Sequence, residues 1–74
     1  MSITGIARAI VLEALRAGSV VVSPAGGDEF TLEKEGVLET LTLPDPVEKR
    51  MLFRLQYRFK VPIHWFFNPN QIPK

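Results

Sequence analysis

Apolar positions recur along this chain with two periods, and each predicts a different element. Between residues 3 and 17 the spacing is helical. Ile3, Ile6, Ala7, Ile10 and Ala14 fall on one side, Val11 and Leu15 widen the stripe, and four alanines favour the conformation. Ser2 is a suitable N-cap, and Gly18 suits the position just past the helix end, where φ is often positive. Gly5 weakens the first turn.

The period then changes. Ser19-Val-Val-Val-Ser23 is short, β-branched and stopped by Pro24, which predicts a well-buried strand. Ala25-Gly26-Gly27-Asp28 has the composition of a turn. In Glu29–Lys34, Phe30 and Leu32 alternate with Glu29, Thr31 and Glu33, and Glu35-Gly36 permits a tight reversal into a third strand, Val37–Leu43. Leu41 and Leu43 alternate with Thr40 and Thr42, whereas Val37-Leu38-Glu39 breaks the pattern and predicts a bulge or a late strand start.

The helical period returns after Pro44-Asp45-Pro46-Val47-Glu48. Asp45 as N-cap, Pro46 at the first helical position and Glu48 at the third are three agreeing start signals. This second helix is expected to end near Lys60, because Pro62 disfavours helical geometry at Val61. Ile63–Phe67 has room for a short strand or one helical turn, and Pro69 and Pro73 exclude a long helix beyond it. The fold class read from this order is α+β. A single small domain, residues 1–67, has the order α-β-β-β-α, with a three-stranded antiparallel meander packed by two helices on one face. Residues 68–74 are read as a C-terminal tail outside that domain.

The order α-β-β-β-α resembles that of double-stranded-RNA-binding domains and of small toxins sharing their fold. The likeness is one of topology. It lacks the basic loop and helix-start cluster of the former, and the Gly-Ser-His type motif of the latter, since His64 follows the last helix. Leu52 to Phe67, with its Leu-x-x-Leu, Phe59, Val61-Pro62-Ile63 and closing Phe-Phe, resembles the end of a bacterial helix-turn-helix repressor domain. The strand-rich middle is incompatible with that all-helical fold.

Composition limits the chemistry. Seventy-four residues form one domain with a marginal core. The absence of cysteine removes disulfides and thiolate metal sites, and fits a reducing, cytoplasmic compartment. No apolar run approaches the roughly 18 residues of a spanning helix, so no membrane association is expected. A single histidine, His64, makes a protein-only metal site improbable, and no cofactor or small-molecule substrate is indicated. A hydrolase or nuclease dependent on His64, paired with Ser19 or Ser23 and an acid, is the enzymatic outsider, but no local motif supports it. Glu33, Glu35 and Glu39 read as a solvated hairpin face rather than paired catalytic acids. Ala25–Asp28 lacks the Gly-Lys-Ser/Thr pattern of a phosphate loop.

What stands out is a local concentration. Six of the seven aromatics lie between Phe53 and Phe67, and six of the nine Lys and Arg follow Pro44. Residues 1–43 carry a net −3 and residues 44–74 a net +4, a polarity that either steers a partner or pairs the two halves of the fold. Projected at 100° per residue, Val47, Met51, Leu52, Leu55 and Phe59 fall within about 140° and form the core side of the second helix. Phe53 and Tyr57 lie on the other side among Lys49, Arg50, Arg54 and Lys60, while Arg50, Arg54 and Arg58 form an i,i+4 ladder along the border. Such a ladder costs a few tenths of a kcal/mol per pair, so the helix does not carry it for its own sake.

Three arrangements are consistent with this segment. Trp65, Phe66 and Phe67 fold back over Phe53 and Tyr57; or the pair is an exposed protein-binding surface; or bases stack on the rings while arginines contact phosphates. The expected function is a non-enzymatic protein-interaction module, self-associating through Arg50, Phe53, Arg54, Tyr57 and Arg58, with Trp65 and Phe66 beside them. A nucleic-acid-binding regulator using the same residues is the alternative. The pI of 8.2 weighs against it, because strong nucleic-acid modules usually exceed about 9.

Overall fold

The computed structural model describes residues 5–73. In chain order the elements are β1 (Gly5–Ile6), α1 (Arg8–Ala17), β2 (Val21–Gly26), β3 (Glu29–Lys34), β4 (Val37–Thr42), β5 (Val47–Glu48), α2 (Lys49–Phe59) and α3 (His64–Phe67). A 3₁₀ turn at Pro69–Gln71 follows. β2, β3 and β4 form the antiparallel meander, and β1 pairs separately with β5. The domain is α+β with the order α-β-β-β-α.

One face of the meander forms the core. Val22, Phe30, Leu32 and Leu41 share this inner face with Lys34, Val37 and Glu39, and pack beneath Val11, Ala14 and Leu15 of α1 and Leu52, Leu55 and Phe59 of α2. Fully burying each larger apolar side chain contributes roughly 1.5–3 kcal/mol. Both helices therefore rest on the same face, as the alternation of β3 predicts.

Several local expectations are corrected. The first helix begins at Arg8, not residue 3, because Gly5-Ile6 pairs with Val47-Glu48. The expected Ser2 cap and the contribution of Ile3 lie outside the described residues. Ala7 is exposed, and the buried stripe of α1 is Val11, Ala14 and Leu15. The left-handed residue after α1 is Ser19 (φ 69°), while Gly18 has φ −86°. Gly18 is required for a different reason: a Cβ there would lie 2.7 Å from Cγ2 of buried Val61.

β2 is longer and less buried than its Val-Val-Val run suggests. It is an edge strand, which is why it tolerates Pro24. The irregularity lies there, between Pro24 and Gly26, and β4 runs regularly through Val37-Leu38-Glu39. The broken alternation of β4 has another cause: Glu39 points inward and Leu38 outward.

The start of α2 is also displaced. Helix geometry begins at Lys49, and Val47-Glu48 is held extended by β1. Asp45 caps the other helix, accepting a 3.1 Å hydrogen bond from the backbone N–H of Arg8 at the first turn of α1. Arg8 ties that corner together. Its Nη1 donates to Asp28 Oδ1 at 2.7 Å and to the Leu43 carbonyl at 3.1 Å, and its guanidinium lies 5.5 Å from the centre of the Phe30 ring. At its other end α2 closes as expected, with Lys60 left-handed (φ 56°) and Val61 in the core.

Ile63–Phe67 takes the helical alternative, as the single turn α3, and packs against α1. The core does not end at residue 67. Ile72 is buried within it, while residues 68–71 are exposed.

Candidate protein-interaction face

The core side of α2 follows the projected stripe, which leaves the opposite side facing solvent. Phe53 is 51% exposed and Tyr57 82% exposed. The C-terminal aromatics do not cover them. Phe66 is fully buried in the core, Trp65 is half-buried against it with His64 edge-on to its ring at 6.4 Å, and Phe67 stays partly exposed. Phe66 is therefore removed from the surface expected for it, and Trp65 packs mainly inward. Arg50, Phe53, Arg54, Tyr57 and Arg58 all lie exposed on α2. Near the C-terminal end of the helix, Gln56, Tyr57, Arg58, Lys60, Val61 and Pro62 surround an open hollow of about 510 Å³.

The arginine ladder divides into two kinds. Arg54 Nη2 donates to Glu39 Oε1 at 2.6 Å, and Arg58 Nε donates to Glu39 Oε2 at 2.9 Å, so one carboxylate on β4 serves two helical turns. Glu39 is not on a solvated hairpin face: its side chain is only 14% exposed. This explains why α2 tolerates like charges at i,i+4, and part of the sequence polarity is internal pairing. Lys34, also on the inner face, donates a 2.8 Å hydrogen bond to the Phe59 carbonyl at the end of α2, where a cation is favourable. Arg50 makes no such pair among the described residues. It shares the outermost side of α2 with Phe53 and Tyr57, and Lys49 and Lys60 flank them.

Burial pushes the Glu39 carboxyl up, but hydrogen bonds from Arg58 and Arg54, and their charges, outweigh it and hold the group below the ordinary carboxylate range. A carboxyl lowered in the folded state contributes stability that is present above its unfolded pKa of about 4.3 and lost as pH falls through the folded value. Glu39→Gln is expected to cost about 1–2 kcal/mol at pH 7, discounted because both arginines are half exposed. Urea titrations at pH 7 and at pH 3 and below check this: the gap between wild type and variant should narrow as Glu39 protonates. A gap that is unchanged at low pH contradicts it.

No protein family matches the chain, and neither a curated protein nor a solved structure shows significant similarity to it. The site therefore rests on its own geometry. Among the described residues, no group of His, Asp and Glu is placed to hold a metal ion, and no helix is long and apolar enough to cross a membrane. The His64 side chain is exposed, with its ring edge-on to that of Trp65.

Proposed function

We propose that this chain is a non-enzymatic protein-interaction module that self-associates through the outer face of α2. The observation that carries this reading is the exposed Phe53–Tyr57 pair. It lies on a helix whose opposite side fully accounts for its attachment to the core. Aromatic side chains and arginine are the types most enriched where association energy concentrates. A stable two-turn aromatic patch supplies area at low conformational cost, because neighbouring core residues already hold the helix rigid.

The same face gives the nucleic-acid reading some support, since Lys49, Arg50 and Lys60 flank the rings. That reading is weaker, because Glu39 already engages two of the arginines proposed to contact phosphate.

Sedimentation equilibrium tests the proposal. Wild type should exceed its 8.3 kDa monomer mass at micromolar concentration, and Phe53→Ser with Tyr57→Ser should return it to monomer with an unchanged circular dichroism spectrum. A monomer throughout the accessible concentration range overturns self-association. Salt-sensitive retardation of single-stranded RNA or DNA by such a monomer would favour the alternative.

A further inference from the structure

The meander has a second side, which the described residues leave largely exposed. On its outer face, register places Val21, Glu33 and Leu38 in one row across the three strands, with Val21 and Leu38 60% and 63% exposed. The next row is Ser23, Thr31 and Thr40, the two threonine hydroxyls 3.0 Å apart, and Glu29 pairs with Thr42 beyond it. No Lys or Arg of β2, β3 or β4 faces this side, because Lys34 points inward to α2. The outer sheet is thus acidic with two apolar flanks, whereas the outer side of α2 is aromatic with cationic flanks.

From this complementarity we infer that self-association is heterologous: α2 of one copy lies on the outer sheet face of the next. The inference rests on the self-association proposed above and specifies its second surface. An isologous pairing of two α2 helices would instead bring Arg50, Lys49 and Lys60 against another cationic face, and like charges across an interface are unfavourable. Phe53 and Tyr57 are about 6 Å apart along the helix axis. Val21 and Leu38 stand two strand spacings apart, roughly 10 Å, on either side of Glu33. The aromatic pair fits within that span, so the rings pack between the two apolar flanks while Arg50 meets Glu33 or Glu29. A head-to-tail contact of this kind produces rings if the rotation closes and open chains if it does not.

A mixing experiment decides between the arrangements. One variant loses the helix face (Phe53→Ser, Tyr57→Ser), the other the sheet face (Val21→Ser, Leu38→Ser). Each should sediment as a monomer alone, and their mixture should form a 1:1 dimer through the one intact pair of faces. A charge exchange repeats the test without removing apolar surface. Glu33→Lys and Arg50→Glu should each weaken self-association at least about tenfold, and mixing them should restore it. If the sheet variants associate like wild type while the helix variant does not, the interface is isologous and this inference fails, though the proposed function stands. If wild type itself is monomeric, the underlying reading fails as well.

Discussion

Phe66→Ala is expected to unfold a large fraction of the protein, although the sequence around residue 66 suggests a surface cluster. The ring is fully enclosed by the core that α1 and α3 share with the sheet. Truncating a buried phenylalanine costs about 3–5 kcal/mol, from lost burial and from the cavity left behind. A domain of this size has stability on the order of 5 kcal/mol, so the loss consumes most of it. The midpoint of thermal unfolding should fall by more than about 12 °C. Tyr57→Ala, one ring of the exposed pair, should change stability by no more than about 0.5 kcal/mol. Urea denaturation of the two variants side by side is the check. Similar midpoints would mean that Phe66 is not a core residue.

Gly5→Ala is the second large effect, and it acts through the backbone. A Cβ at residue 5 would lie 2.7 Å from the carbonyl oxygen of Val47 and 2.9 Å from Cβ of Pro46. Neither atom belongs to the end of a flexible side chain, so the β1–β5 pair has to separate to make room. Forcing extra atoms into a closed contact costs about 1–3 kcal/mol. That ribbon also sets the entry to α2 and holds Asp45 over the first turn of α1. The variant should therefore show a lower urea midpoint together with faster amide exchange at residues 5–8 and 47–50. Wild-type exchange in those segments would contradict the account.

Elements whose signals are local were legible in the sequence. The alternation of Phe30 and Leu32, the Glu35-Gly36 reversal and the core stripe of α2 each follow from period and turn chemistry, and all are present. Signals that depend on a distant partner misled. Asp45-Pro46-Val47-Glu48 reads as a helix start, yet β1 draws Val47-Glu48 into a ribbon and Asp45 caps a helix 37 residues away in sequence. Glu39 reads as part of a solvated acidic strand, yet two arginines from α2 arrive over it. Arg8 carries no motif at all, although it joins Asp28, Leu43 and Phe30. The candidate site was half legible. Phe53 and Tyr57 could be assigned to the side of α2 away from the core, but the fate of Trp65-Phe66-Phe67 depends on the direction the chain takes after Pro62.

By itself, the sequence determined the class of fold and which side of α2 faces inward, because helical and strand periods are set by neighbours a few residues apart. Only the tertiary structure decided that Phe66 turns into the core and leaves the aromatic pair uncovered. It also decided that Arg54 and Arg58 are held by Glu39, and that an acidic, partly apolar sheet face lies open elsewhere on the molecule. Those outcomes depend on which surfaces the packed elements bring together, and that information is carried by contacts between residues far apart in the chain.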